Sequence, residues 1–248
     1  MRALLLAAGL GTRLRPLTDH IPKCLIEIGG KPLLEYWITM LYHGGVYPLL
    51  VNVHRHADKV ANFIYNSPYR EFVTTVYEKE LLGTAGTLLM NRDFFGDEPL
   101  MLVHADNLSI FDVRAFVNSH LNRPDGCEMT MMTFKTPTPH TCGIIETDDK
   151  GCVRAFHEKV VNPPGDIANG AVYIVEPSIF NYLEGLNKEF IDFSTEVIPD
   201  YMGRINTFYN NVYHRDIGTI ESYEMACREF PEIANKRNNL RAKIGGES

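Results

Sequence analysis

The residues Ala3-Leu4-Leu5-Leu6-Ala7-Ala8 form one continuous apolar run, and Gly9-Leu10-Gly11-Thr12-Arg13-Leu14-Arg15-Pro16-Leu17-Thr18 follows without a break. A strand that is apolar at every position is buried on both faces, as in the centre of a parallel sheet covered by helices. A glycine turn leaving such a strand lets the backbone approach a ligand and aim N–H groups at phosphate oxygens. Thr12 adds a hydroxyl, while Arg13, Arg15 and Lys23 add fixed positive charge. Together these meet the needs of a polyphosphate tail. The apolar run is too short for a signal peptide, and a Gly/Thr/Arg turn stands where a cleavage site would be. Two familiar phosphate motifs do not fit. A dinucleotide fingerprint requires glycine where Leu14 stands, and a P-loop requires Gly-Lys-Ser/Thr where Gly30-Lys31-Pro32 stands.

Strand-like and helix-like segments alternate after this loop. Helices are expected over Pro32–Tyr42, Ala57–Asn66, Gly86–Arg92 and Val113–Leu121, with strands over Tyr47–Val53, Val73–Tyr77, Pro99–Ala105 and Met129–Phe134. This is the rhythm of a doubly wound α/β sheet. The second half changes character. Cys142–Thr147 and Val153–His157 flank Asp148-Asp149-Lys150-Gly151, a strong hairpin turn. Gly170–Val175 reads as a strand, Pro177–Leu183 and Phe193–Tyr201 as helices, and Ile205–Asn210 leads into Asn211–Ile217. Ser222–Glu229 is helical, and the tail from Asn235 is polar. The expected class is α/β, a Rossmann-like doubly wound, mixed but mainly parallel sheet with a β-rich insertion. Residues 1–234 would form one domain, with residues 235–248 as a tail.

The 248 residues, 45% hydrophobic, are enough for a substantial core in such a domain. A net charge of −7 argues against a nucleic-acid binder, which would show a basic face. Five cysteines, an odd number without a Cys-x-x-Cys pair, fit reduced thiols and a cytoplasmic protein. No apolar stretch approaches the roughly 20 residues needed to span a bilayer.

Asp106 ends the apolar run Leu100-Met101-Leu102-Val103-His104-Ala105, and a carboxylate at the carboxyl end of such a strand faces the ligand crevice. Asp216 follows another strand-like run. Magnesium takes a few carboxylates plus phosphate oxygens and water, so two aspartates from distant parts of the chain suit it. His104 and His214 each lie two residues before one of these aspartates. Each is expected to point to the opposite face of its strand and to pack or hydrogen-bond there, since histidine favours softer ions.

The first loop, with Pro22-Lys23, Leu82-Gly83-Thr84-Ala85-Gly86, His104-Ala105-Asp106, Glu158-Lys159, Asn169-Gly170 and Asp216-Ile217-Gly218-Thr219-Ile220-Glu221-Ser222-Tyr223, resembles the sugar-1-phosphate nucleotidylyltransferase family over nearly the whole chain. The run Leu82–Gly86 looks most like the mannose-1-phosphate guanylyltransferase branch. Where the family often has Gly-Asp, this chain has Ala105-Asp106. The resemblance implies the nucleotide-diphospho-sugar transferase fold, with residues 1–134 mainly nucleotide-binding and residues 135–220 mainly sugar-phosphate-binding. It implies a magnesium-dependent union of a nucleoside triphosphate with a sugar 1-phosphate, releasing pyrophosphate. Nucleotide contacts would come from Leu6, Ala8, Gly9, Gly11, Thr12, Arg13, Glu80, Gly83, Thr84 and Asp106. Arg13, Lys23 and Lys159 would be catalytic, Asp106 and Asp216 would hold Mg2+, and Gly143, Glu158, Lys159 and Asn169 would bind the sugar phosphate.

The nucleophile in that reaction is a phosphate monoester, already largely a dianion at neutral pH because its second pKa is ~6, so no general base is required. Catalysis would rest on positioning two anions and neutralising charge. A carboxylate at Glu80 suits the N1 and N2 donors of guanine, which favours GTP with mannose 1-phosphate or a related sugar. The alternatives are a uridylyl-, thymidylyl-, cytidylyl- or adenylyltransferase for glucose, heptose or amino-sugar 1-phosphates, and a non-catalytic nucleotide-sugar-binding regulatory subunit. No nucleic-acid or membrane partner is expected. The oligomeric state stays open, a homo-oligomer among the states allowed.

Overall fold

The computed structural model describes residues 1–245, with side chains described through Lys236. The chain divides into two compact units that exchange strands of sequence. We call them the loop unit (Leu5–Glu78, His104–Val113 and the chain from Asn211) and the hairpin unit (Met1–Leu4, Lys79–Val103 and Arg114–Asn210).

β1 (Arg2–Leu6) begins in the hairpin unit and ends in the loop unit; its last four residues are buried, as its unbroken apolar character requires. The loop unit continues with the short antiparallel pair β2 (Glu27–Ile28) and β3 (Lys31–Pro32). Helix α1 (Leu33–His43) buries Leu33, Leu34, Trp37, Ile38 and Leu41 at helical spacing. β4 (Leu49–Val53), α2 (Ala57–Tyr65) and β5 (Val73–Tyr77) follow, and β4 pairs with β5 in parallel from Leu49↔Val73 to Val53↔Tyr77. This is the βαβ unit that the alternation predicts.

The chain then builds the hairpin unit's α3 (Gly83–Met90), α4 (Arg92–Phe95) and β6 (Leu100–His104). β7 (Asn107–Ile110) belongs to the loop unit, and α5 (Val113–Leu121) returns to the hairpin unit. There β8 (Met129–Lys135), β9 (Gly143–Thr147), β10 (Val153–Glu158), β11 (Ile167–Val175), α6 (Ser178–Gly185) and β12 (Ile205–Tyr209) follow. β9 and β10 form the predicted antiparallel hairpin, β11 pairs antiparallel with β6, β8 and β9, and β12 runs parallel to β8. The sheet is therefore mixed. Its core here includes Phe116, Met131, Tyr173, Ile174 and Phe193, all fully buried.

β13 (Tyr213–Asp216) and α7 (Ile220–Gly245) complete the loop unit. α7 packs Ala226 and Ile233 into a cluster with Leu14, Ile26, Ile28, Leu108 and Ile217. β2, β3 and β7 lie outside the sequence expectation, and other elements differ from it in form or bounds. Phe193–Tyr201 is a π-helical turn followed by a 3-10 turn at Pro199–Tyr201, because Pro199 has no N–H to continue a helix. α3 starts at Gly83 rather than Gly86, held by contacts the linear sequence does not show. α7 runs past the expected Ser222–Glu229. Among the described residues no helix is long and apolar enough to cross a membrane.

Candidate active site

The loop after β1 is shaped by Gly11. Its φ of 62° lies in the left-handed region, and a Cβ there would stand 2.9 Å from Thr18 Cγ2. Only glycine fits both conditions without strain. The Gly11 carbonyl accepts from Leu14 N–H at 3.0 Å and from the Thr18 hydroxyl at 2.8 Å, and buried Leu14 anchors the turn. Leu6 and Ala8 are buried, whereas Gly9, Thr12 and Arg13 are exposed. At the entry, Ala7 N–H donates to buried Asn52 Oδ1 at 2.7 Å, and Asn52 donates to buried Glu78 at 3.1 Å. This support under the loop was not singled out from the sequence; a buried asparagine inside an otherwise apolar strand was its only signal.

Lys23, 7% exposed, stands between two carboxylates: its Nζ is 2.7 Å from Asp106 Oδ2 and 3.8 Å from Asp216 Oδ1. A buried ammonium needs such partners, since desolvation without them costs several kcal/mol. Burial alone would raise the Asp106 carboxyl. The Lys23 charge and hydrogen bond, helped by His104, outweigh it and hold Asp106 below its ordinary value. A Cβ on Gly9 would lie 3.8 Å from Asp106 Oδ2, so the loop backbone runs alongside this carboxylate.

Two residues 110 positions apart meet because of one strand register. β13 pairs antiparallel with β7, and Asp216 falls opposite Asn107, the neighbour of Asp106. β7 is itself fixed by the Trp37 indole, which donates to the Asn107 carbonyl at 2.8 Å. Beyond Asp216, a Cβ on Gly218 would meet Asp216 Oδ2 at 2.7 Å and Arg13 Nη2 at 3.3 Å. The bare glycine lets the Arg13 guanidinium and the Asp216 carboxylate close over the same backbone. Gly218 was visible in the sequence only as part of a motif. His214 faces Ser109 Oγ at 3.1 Å; burial, then the nearby Arg215 charge, pushes its imidazole down to about 3, so it is neutral at neutral pH. Among the described residues no group of three or more His, Cys, Asp or Glu side chains forms a ready metal cage. Two oxygen-donor carboxylates, open to water and phosphate, are the pattern magnesium takes. The donor set therefore fits that ion.

The remaining candidates lie in the hairpin unit. Glu158 and Lys159 pair at 2.9 Å, Nζ to Oε1. Lys159 has φ 50° and donates its N–H to Cys142 O at 3.1 Å, a strained, fixed exit from β10. Gly143 sits opposite Glu158 in the β9–β10 register, and a Cβ there would be 2.5 Å from Phe156 Cζ and 2.6 Å from Glu158 Oε2. Asn169 opens a bulge: four steps of β11, Asn169 to Tyr173, face two steps of β8. Its Oδ1 accepts from Ala171 N–H at 2.9 Å, and its Nδ2 donates to the buried Tyr173 hydroxyl at 2.6 Å. Tyr173 belongs to none of the motifs that the sequence singles out.

The run Leu82–Gly86 is engaged by the segment 189–193. Ala85 and Gly86 N–H both reach Ile191 O, Ile191 N–H returns to Leu82 O, and Phe193 N–H donates to Thr84 Oγ1 at 2.7 Å. A Cβ on Gly83 would stand 2.4 Å from Ile191 O and one on Gly86 2.4 Å from Glu189 O. Both glycines and the Thr84 hydroxyl thus serve packing. Glu80 lies just before this run and is exposed. The structure brings Gly9, Gly11, Thr12, Arg13, Lys23, Asp106 and Asp216 together in the loop unit, and Gly143, Glu158 and Lys159 together in the hairpin unit.

The nucleotidyl transferase family model matches residues 2–232. Probable mannose-1-phosphate guanylyltransferase 3 of Oryza sativa subsp. japonica is 29% identical over 99% of the chain and 69% of its own length. HddC from Yersinia pseudotuberculosis, solved with GMP-PN, is 26% identical with a TM-score of 0.76 over 92% of this chain and 99% of that one. A UDP-glucose pyrophosphorylase solved with UDP-glucose shares the fold, with a TM-score of 0.78 at 22% identity over 93% of this chain and 98% of that one.

Proposed function

The chain belongs to the nucleotidyl transferase family, and from that premise we propose that it joins GTP to mannose 1-phosphate or a closely related sugar 1-phosphate, releasing pyrophosphate. The observation that carries this reading is the Lys23–Asp106–Asp216 cluster beside the glycine loop, with Arg13 over Gly218. Fixed charge of both signs, at a backbone shaped for phosphate, suits a reaction whose demand is charge neutralisation and alignment.

In this reading Asp106 and Asp216 hold Mg2+, which neutralises charge on the triphosphate when bound. Gly9, Gly11 and Thr12 meet phosphate oxygens, with Leu6 and Ala8 lining the approach. Arg13 stabilises the departing pyrophosphate, and Lys23 steadies the α-phosphate and its carboxylate neighbours. Lys159 grips the sugar phosphate, Glu158 and Asn169 bind sugar hydroxyls, and Gly143 leaves room for the ring. Glu80 reads the base; Gly83 and Thr84 contribute backbone contacts beside it. The sugar-phosphate oxygen attacks the α-phosphorus in line, and the bond to the pyrophosphate oxygen breaks.

The guanine preference is supported by the rice relative's name and by the GMP-PN with which HddC was solved. Free cysteines in odd number suit the cytoplasm, where sugar nucleotides would be made for polysaccharide synthesis. The test is pyrophosphate release from a panel of nucleoside triphosphates against mannose-, glucose- and heptose-1-phosphates, with and without magnesium. Metal-dependent release greatest with GTP and mannose 1-phosphate is expected. Better turnover with UTP, dTTP, CTP or ATP overturns the base assignment, and no release with any pair overturns the reaction.

A further inference from the structure

β13 has only four residues, and it forms a two-stranded ribbon with β7. Such a ribbon is marginal by itself, because two strands bury little. Yet it must present Asp216 within reach of Lys23 and beside Arg13. Alternation along the strand puts Asp216 and His214 on one face, where the sequence reading expects opposite faces, and Tyr213 and Arg215 on the other. His214 is fastened through Ser109, as described. On the opposite face, both Tyr213 and Arg215 meet one carboxylate on α7, with Arg215 Nη1 also 3.9 Å from Met225 Sδ.

Glu229 takes Arg215 side-on: Arg215 Nη2 is 2.6 Å from Oε1, and Arg215 Nε donates to Oε2 at 3.1 Å. The Tyr213 hydroxyl donates to the same Oε2 at 2.7 Å, and Arg215 Nε also reaches the Tyr213 oxygen at 3.3 Å. Arg215 is 18% exposed and Glu229 31%, so the cluster is largely sheltered. Bidentate arginine–carboxylate pairs are both stronger and more directional than single ones. α7 is a firm base for the clamp. Phe230 packs where any side chain on Gly29 would stand, at 2.0 Å from its Cβ, and Tyr223 hydroxyl donates to Glu27 O at 3.3 Å.

We propose that Glu229 is a positioning residue for the metal: by clamping Arg215 and Tyr213 to α7 it fixes the strand that presents Asp216. This rests on the reading of Asp216 as a metal ligand. Residues that orient a ligand from behind typically change metal affinity by about 10–100-fold when replaced. Glu229→Gln keeps the volume and removes the charge. Tyr213→Phe removes one hydroxyl and is the milder variant should Glu229→Gln fold poorly.

The test is Mn2+ binding to the full chain, followed by electron paramagnetic resonance, with magnesium dependence of turnover measured in parallel. Glu229→Gln is expected to weaken Mn2+ about tenfold and to raise the magnesium requirement similarly, while KM for the sugar phosphate stays put and saturating metal restores kcat. Tyr213→Phe should shift both in the same direction by less. Asp216→Asn is the control. If it leaves Mn2+ binding unchanged, the metal reading itself falls. If it weakens binding while Glu229→Gln and Tyr213→Phe bind as the parent does, the clamp is overturned and the metal reading stands. A lowered melting temperature with unaltered Mn2+ affinity well below the transition also overturns the clamp.

Discussion

The two units hold their candidate cations in opposite ways. Lys23 is 7% exposed and fixed between carboxylates contributed by residues 106 and 216. Lys159 is 66% exposed, and its partner is the adjacent Glu158. The first arrangement is assembled from afar: slipping β13 by one residue against β7 would turn Asp216 to the other face. The second is made locally, by a hairpin register and a left-handed residue at its end. A lysine already desolvated and paired is preorganised, so ligand binding need not order it. An exposed lysine loses up to ~2 kcal/mol of rotamer freedom when a ligand captures it. In the proposed reaction the loop unit would place charge, and the hairpin unit would recognise a substrate that brings its own charge.

The sharpest test of that contrast is Asp106→Asn. It should lower kcat by about 10³, since one preorganised charge is lost and Lys23 loses its nearest partner; steady-state pyrophosphate release measures it, and a loss below tenfold would erase the distinction. Lys159→Ala should lower kcat/KM for the sugar phosphate by about 10², expressed mainly in KM, with metal dependence unchanged. If that variant instead raised the magnesium requirement, the division of labour would be wrong. Gly83→Ala probes a motif in the hairpin unit whose glycine is demanded by packing. With φ 75° and Ile191 O 2.4 Å from the added Cβ, it should destabilise by about 1–3 kcal/mol in chemical denaturation.

The smallest effect concerns acid stability of the hairpin unit. His120 is buried against Thr130 Oγ1 at 2.9 Å and Glu176 Oε1 at 3.2 Å, and Arg123 also pairs with Glu176. Burial, then the Arg123 charge, pushes His120 down from 6.5 to about 4. The unfolded chain therefore binds the extra proton in that window, and stability is lost as pH falls from about 6.5 towards 4. His120→Gln should flatten the slope of unfolding free energy over that range; an unchanged slope would assign acid sensitivity elsewhere.

Much of this was legible in the linear sequence where one element carries the signal. The apolar run of β1 and the left-handed Gly11 are local facts, and the hairpin of β9 and β10 is announced by Asp148-Asp149-Lys150-Gly151. β7 escaped because four residues directly after a turn carry no period of their own, yet its pairing with β13 is what joins the two aspartates. The support of Ala7 by Asn52 and the clamp of Arg215 by Glu229 are tertiary contacts between residues that look like ordinary polar positions in the chain. The Leu82–Gly86 run carried a ligand-like pattern, and its contacts with residues 189–193 show how backbone packing selects the same small residues.

The most direct measurement is a crystal structure with Mn2+ and a non-hydrolysable GTP analogue, read by anomalous scattering. The expected result is one manganese peak about 2.1–2.3 Å from carboxylate oxygens of both Asp106 and Asp216, with the analogue's phosphates over the Gly9–Arg13 loop. A peak bound away from this pair, or phosphates seated elsewhere, would contradict the assignment of the β7–β13 register as the builder of the site.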